Sequence, residues 1–229
     1  MTTDSESGTY DSEARGLSLV AVLLALTVVS GLIDAVSYLG LGHVFTANMT
    51  GNVVVLGFAA AGAPGFSVPH TATSLACFLV GAAAGGRVAR RLGEGSRRTW
   101  ARLTLAVEAV LVAASAAVAF AAPGATGTTY TLIAVTALAM GLRNATVRKL
   151  GVPDLTTTVL TMTLTGLASD ARATGGPGGR FARRGTAVAA MALGALLGAW
   201  LVLHHGLGIP LLIAAALTAV LAVTASGRE

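Results

Sequence analysis

Long apolar blocks, each almost free of charge, constrain the fold of this chain more than any other feature. Most of them span roughly 18–25 residues, the length that an α-helix needs to cross the hydrocarbon core of a bilayer. The composition agrees, because 11% of the residues are charged and the mean hydropathy is +0.77, whereas a soluble domain carries about a quarter charged residues. These values exclude a soluble enzyme, a disulfide-stapled secreted domain and a disordered chain. They predict an all-α integral membrane protein.

The blocks divide into six long ones and two short ones. The long blocks are 17–41, 71–88, 101–122, 128–142, 185–203 and 206–225, and the short ones are 45–61 and 155–168. Residues 1–16 are polar and acidic and are predicted to form a disordered cytoplasmic tail. Residues 17–229 are predicted to form a single membrane domain.

The distribution of Lys and Arg predicts the orientation of these blocks. The segment 87–102 carries six Arg, while 123–127 carries no charge, so the first should be cytoplasmic and the second external. The regions on both sides of the short block 155–168 are basic. We therefore expect that block to enter and leave on the cytoplasmic side, which gives six crossings with both termini in the cytoplasm. The alternative is eight spanning helices, with one basic loop outside.

An internal repeat extends this topology to the first half of the chain. The stretch GLIDA at 31–35 aligns with GLRNA at 141–145, an offset of 110 residues. Repeat one would cover 17–122 and repeat two 128–226, each with three crossings and one re-entrant or broken short helix. Because three is odd, the repeats would be inverted, a recurring plan in transporters. Eight spanning helices would instead make them parallel.

Polar residues concentrated in and beside the short blocks are the candidate solute site. Polar groups and irregular backbone are tolerated at membrane depth only where they are buried in protein or line a cavity. The candidate residues are Asp34, Asn48, Thr50, Gly51, Asn52, Asn144, Thr157, Thr158 and Thr161. Such hydroxyl and amide groups suit a small polar or anionic solute. The alternative is that they only hold helices together.

Two acidic residues, Asp34 and Glu108, lie inside apolar blocks, where ionisable groups are functional candidates. Glu108 is near enough to the cytoplasmic end of its block to be hydrated or to pair with Arg102. The repeat could bring Arg143 close to Asp34, which would leave Asp34 either as half of a structural ion pair or as a proton or solute site.

Several functions have no support in the sequence. The histidines do not have ligand spacing with an acidic partner, so no metal is expected, and no cofactor motif or nucleophile–base set indicates an enzyme. The basic residues follow membrane topology, so no nucleic-acid partner is expected either. The leading interpretation is a transporter or channel whose partners are the bilayer and an unidentified small solute; homo-oligomerisation stays open. The alternative is a membrane-embedded structural or regulatory protein without transport activity.

The stretches GLIDAVSYLGLGHVFTANMTGNVVVLG at 31–57 and GLRNATVRKLGVPDLTTTVLTMTLTGL at 141–167 resemble the YoaK family. This is a family of bacterial inner-membrane proteins classed under a domain of unknown function (1275). The resemblance covers nearly the whole chain after the acidic tail. It implies a multi-pass protein of the bacterial plasma membrane with six transmembrane helices. It implies no activity. Met162 departs from the family pattern, because glycine is expected at that position.

Overall fold

A computed structural model describes residues 18–92, 97–150, 160–169 and 178–225 of the chain. In these residues the protein forms eight helices. They are α1 (Leu19–Gly40), α2 (Met49–Ala60), α3 (Val68–Leu92), α4 (Arg97–Ala121), α5 (Thr126–Leu150), α6 (Leu160–Ser169), α7 (Gly178–His205) and α8 (Gly208–Thr224). The acidic tail at 1–16 and the candidate residues Thr157 and Thr158 lie outside the described residues.

Five helices are long and apolar enough to cross a membrane. They coincide with five of the six predicted crossings, which confirms the prediction of an all-α protein with transmembrane helices. The apolar helix α8, at the position of the sixth, has 17 residues, or about 25 Å at 1.5 Å per residue. The short helix α2 has 12 residues, about 18 Å long, which is well short of a hydrocarbon core of about 30 Å.

The fifth helix is longer than its apolar block. The block predicted at 128–142 ends before Arg143, whereas α5 continues through Arg143 to Leu150. Arg143 is 1% exposed, because its side chain turns inward to an acidic partner described below. Arg148 and Lys149, one turn further along α5, are exposed. The first charged residue after an apolar block therefore does not mark the end of this helix.

The helices associate mainly as three pairs, α1 with α7, α3 with α5, and α4 with α8. Additional contacts join α1 to α8 and α4 to α5, so these four helices enclose the centre of the bundle. The main core there includes Leu32, Ile33, Val112, Leu132 and Leu211, none of them exposed. The short helices lie outside this centre, with α2 against α3 and α6 against α7.

Glycines allow the backbones of the two helices to come into contact in two of these pairs. A Cβ atom added to Gly31 of α1 would collide with the carbonyl oxygen of Met191 in α7, and one added to Gly141 of α5 would collide with that of Phe78 in α3. Gly31 and Gly141 are the residues aligned by the internal repeat.

A glycine on the second helix of each pair also contacts the backbone of the first helix. A Cβ at Gly194 of α7 would collide with the carbonyl oxygen of Val28 in α1, and a Cβ at Gly81 of α3 with that of Leu138 in α5. Val28 and Leu138 are again 110 residues apart, while Gly81 and Gly194 are 113 apart. The α1–α7 and α3–α5 contacts thus use positions that lie 110 or 113 residues apart in the chain.

The segment between α1 and α3 leaves one end of the bundle and returns to the same end. Residues 41–48 are not helical and lead to α2. Near the start of this segment, the ring nitrogen Nδ1 of His43 lies 3.0 Å from the carbonyl oxygen of Gly65, which precedes α3. The Phe45 ring stacks on Tyr38 of α1, with 4.8 Å between ring centroids. Residues 43–65 therefore form a hairpin whose two ends lie together.

Candidate functional site

Asp34 of α1 binds the part of this hairpin that leads into α2. Its Oδ1 atom accepts hydrogen bonds from the backbone N–H groups of Thr46, Ala47 and Asn48, at 3.2, 2.8 and 3.4 Å. Asn48 is the N-cap of α2, and its side-chain oxygen accepts from the N–H of Gly51 at 3.4 Å. Because a helix leaves its first N–H groups unpaired, a carboxylate and an amide at the start of α2 are both well placed to satisfy such donors.

Asn52 fastens the hairpin to α3. Its side-chain oxygen accepts from the N–H of Phe45 at 2.8 Å, and its amide nitrogen donates to the Phe45 carbonyl at 2.6 Å and to the Ser74 hydroxyl at 3.0 Å. Asn52 has no solvent exposure and lines neither of the cavities described below. Both ends of its amide bond to the protein, so these contacts hold the hairpin to α3. The solute contact expected of Asn52 stays a prediction.

A cavity of about 330 Å³ is lined by residues from the first turns of both α2 and α6. The candidate residues Asp34, Asn48, Thr50, Gly51 and Thr161 all line it. The remaining lining residues among those described are Ala47, Val54, Leu160 and Met191. The structure thus brings together, around one space, polar residues from both short blocks and the acidic residue of α1.

A wider cavity of about 860 Å³ adjoins the first and shares Asn48 and Thr50 with it. It runs between α2, α3 and α5 and includes Asn144, whose amide nitrogen donates to the Met140 carbonyl at 2.9 Å. Arg148 and Lys149 line its end at the C-terminus of α5. Basic residues at this position are what orientation in the membrane requires, so they do not by themselves indicate the charge of a solute.

A buried ion pair between Glu108 of α4 and Arg143 of α5 lies at the centre of the bundle. The Arg143 Nε atom donates to Glu108 Oε2 at 2.9 Å, and a second guanidinium nitrogen contacts Oε1. The third nitrogen donates to the Ser30 hydroxyl at 2.9 Å and to the Leu26 carbonyl at 3.1 Å. Thr218 of α8 donates to Glu108 Oε1 at 3.4 Å. The cluster therefore joins α1, α4, α5 and α8.

The partners of these charged residues differ from those considered in the sequence analysis. Arg143 is bonded to Glu108 and not to Asp34, and Glu108 is fully buried instead of lying at an interface. Arg102 donates to the carbonyls of Ala225 and Val223 at the end of α8, at 3.0 and 2.6 Å. One signal could have indicated the pair: an isolated charge inside an apolar block requires an opposite one nearby. Glu108 lies in the block 101–122, and Arg143 directly follows the next long block, 128–142.

The described residues contain no group of three or more His, Cys, Asp or Glu side chains that could hold a metal ion. Carboxylate, amide and hydroxyl groups line the cavities together with apolar side chains, and Arg148 and Lys149 add basic groups at one end of the wider cavity. Groups of this kind can bind and orient a polar solute or a hydrated ion.

Comparison with known proteins identifies relatives. The family model described as "Protein of unknown function (DUF1275)" matches residues 22–224. The UPF0700 transmembrane protein YoaK of Bacillus subtilis (strain 168) is 34% identical over 152 residues, which is 65% of this chain and 65% of that protein. The alignment thus spans slightly less than two thirds of the relative's length. No solved structure matches.

The family model covers most of the chain, including α2 and the first turn of α6, and the relative is itself described as a transmembrane protein. This agrees with the apolar helices and with the family resemblance seen in the sequence. The chain belongs to the DUF1275 family and is a membrane protein with transmembrane helices.

Proposed function

We propose that this protein is a transporter or channel that passes a small polar solute across the bacterial plasma membrane through the two adjoining cavities. The observation that carries the proposal is the smaller cavity, where Asp34, Thr50 and Thr161 surround one space. Polar groups at membrane depth are costly and mark solute or ion pathways when they line a cavity. Transporters recurrently place such sites where discontinuous helices meet.

An inverted duplication of three crossings per half would explain why the two short helices line one cavity. The glycine contacts support it, because α1 contacts α7 through the same positions that α5 uses to contact α3. Exchanging the two halves of the chain converts each of these helix pairs into the other. In such an arrangement α2 and α6 are counterparts that approach one another from opposite sides of the membrane.

Six crossings, two re-entrant segments and cytoplasmic termini are the topology that we propose. The hairpin at 43–65 supports the first re-entrant segment, since its ends lie together and α2 is too short to span. The helix α8 would supply the sixth crossing despite its length, because its 17 residues carry no charge and a bilayer thins locally around a short helix.

Cysteine labelling tests the topology. With Cys77 replaced by alanine, single cysteines at Ala61 and Ala125 should react with an impermeant maleimide only from outside the cell, and cysteines at Lys149 and Thr174 only from the cytoplasm. The reason is that basic segments stay on the cytoplasmic side. Labelling of Lys149→Cys and Thr174→Cys from opposite faces would contradict the re-entrant second segment and favour eight spanning helices.

Reagent access to the cavity tests the function. In the Cys77→Ala background, Thr50→Cys and Thr161→Cys should react with a charged methanethiosulfonate, because a solute pathway is hydrated. Thr27→Cys is the matched control: this threonine is buried in α1 and donates to the Leu23 carbonyl at 2.8 Å, so it should not react.

Flux is measured on the same variants in proteoliposomes, by osmotic swelling in glycerol, urea and methylammonium chloride. Modification of Thr50→Cys should reduce swelling by more than half with at least one of these solutes. If folded Thr50→Cys and Thr161→Cys proteins react no faster than Thr27→Cys, the midplane is dry. The protein would then be a structural or regulatory membrane partner and not a transporter.

A further inference from the structure

The charge balance around the smaller cavity distinguishes Asp34 from the other buried charges. In the part of the chain that the structure describes, the acidic side chains are Asp34 and Glu108. The charge of Glu108 is matched by Arg143, which is itself fully bonded to Glu108, Ser30 and Leu26. These two charges cancel, so among the described residues that line the smaller cavity the carboxylate of Asp34 has no counter-charge.

The Oδ2 atom of the Asp34 carboxylate has no hydrogen-bond partner among the described residues. Asp34 is 6% exposed and lines this space. Its Oδ1 atom takes three backbone N–H donors, whereas no described residue donates a hydrogen bond to Oδ2. The partial positive charge at the start of a helix amounts to about half an elementary charge. The first turn of α2 therefore offsets only part of the carboxylate charge.

The other polar side chains that line the smaller cavity, among the described residues, are neutral. Most described helical threonines, such as Thr27 and Thr218, donate their hydroxyl to the carbonyl four residues earlier. Thr50 and Thr161 lie in the first turns of α2 and α6, and their hydroxyls make no hydrogen bond to a described residue. Together with the Asn48 amide they face the same space, and no described Lys, Arg or His lines it.

We propose that the smaller cavity is a binding site for a monovalent cation, with the Asp34 carboxylate as the charged ligand and Thr50 and Thr161 as neutral oxygen ligands. Carboxylate and hydroxyl oxygens suit hard cations, and one carboxylate balances one positive charge. The ligand is either an alkali-metal ion or the ammonium group of a small amine. A negative charge inside the cavity repels an anion, so an anionic solute would not bind beside Asp34.

This proposal rests on the proposed transport function, since it gives the charge of the solute or of its coupling ion. Its test, however, requires no flux. Purified protein in detergent is unfolded by heat, and tryptophan fluorescence is followed in choline chloride with increasing sodium, potassium or methylammonium chloride at constant ionic strength. A ligand that binds only the folded state raises Tm in a saturable way. We expect such a rise with at least one of the three cations.

Variants assign the effect to the cavity. Asp34→Asn keeps an oxygen for the N–H groups of the hairpin but removes the charge, so the rise in Tm should disappear. Thr50→Val and Thr161→Val, which keep the side-chain shape, should each weaken the apparent affinity about tenfold, equivalent to about 1.4 kcal/mol. Thr27→Val is the matched control and should retain the affinity of the parent protein.

The rise in Tm with each of the three cations distinguishes an alkali-metal ion from an amine as the ligand. A rise with sodium or potassium alone identifies a metal ion, and a rise with methylammonium alone identifies an amine. No saturable rise with any of them, or an unchanged rise in Asp34→Asn, would overturn the proposal. If Asp34→Asn does not fold, parental affinity in both valine variants of the cavity overturns it instead.

The proposed transport function and the cation site can fail separately. Reagent access and flux without any cation effect would leave transport standing and remove the cation site. A saturable rise in Tm with a cation, in a protein whose cavity cysteines do not react, would support the cation site and remove the transport function.

Discussion

Replacing Arg143 with glutamine is expected to destabilise the folded protein by roughly 3–5 kcal/mol, because it leaves the carboxylate of Glu108 buried without a counter-charge. Glu108 has no solvent exposure, and its described contacts are Arg143 and Thr218. Glu108→Gln should cost a similar amount by stranding the guanidinium. The measurement is thermal unfolding in detergent, together with the fraction of monodisperse protein.

The double variant Glu108→Gln/Arg143→Gln shows whether the single variants lose stability because one buried charge is left without its partner. Two amides of similar size can hydrogen-bond to one another without a buried charge, so the double variant should recover most of the stability lost in either single variant. Arg148→Gln is the control on the same helix. Its side chain is exposed, and the change should stay within about 0.5 kcal/mol. Parental stability in Arg143→Gln would contradict a structural ion pair.

Adding one methyl group at Gly31 or Gly141 is expected to destabilise the protein by about 3 kcal/mol, at the upper end of the usual cost of overpacking. In both cases the new Cβ collides with the backbone of the opposite helix, which cannot move aside as the end of a flexible side chain could. The helices must separate, and the contacts along the α1–α7 or α3–α5 pair weaken.

Two other glycines provide matched controls for these alanine variants. A Cβ at Gly57 of α2 or Gly86 of α3 has no atom within 4 Å, so alanine there should be neutral or stabilise by up to about 1 kcal/mol through helix propensity. Unfolding temperatures of the four alanine variants in detergent give the comparison. The proposed duplication predicts equal losses for Gly31→Ala and Gly141→Ala. A loss at Gly57 or Gly86 as large as these would contradict backbone-to-backbone packing as the cause.

Much of the candidate site was predictable from the sequence because its signal is local. Asn48 and Thr50 are polar residues of the short block 45–61, and Thr161 is a polar residue of the short block 155–168. Charge placement and the internal repeat indicated that the two blocks would approach each other. Asp34 was identified because an acidic residue inside an apolar block is unusual. The structure places all four of these residues around one cavity.

The role of Asn52 was not predictable in the same way. It lies four residues from Asn48 in a similar polar environment, and the sequence does not distinguish them. In the fold, however, Asn52 is directed toward Phe45 and Ser74, whereas Asn48 faces the cavity. The distinction depends on the direction of each side chain relative to α3. Asn52 and its partner in α3, Ser74, are more than twenty residues apart in sequence.

The sequence by itself determined the class of protein, the approximate limits of the long helices and the segments that carry polar groups. These depend on hydrophobicity and charge over one or two dozen neighbouring residues. Only the tertiary structure decided that Arg143 pairs with Glu108, that Asn52 holds the hairpin to α3 and that Asp34 both binds the hairpin and lines the smaller cavity. The physical reason is that a buried polar group is satisfied by whichever helix face is opposite to it, and helix-to-helix register results from the packing of the whole bundle.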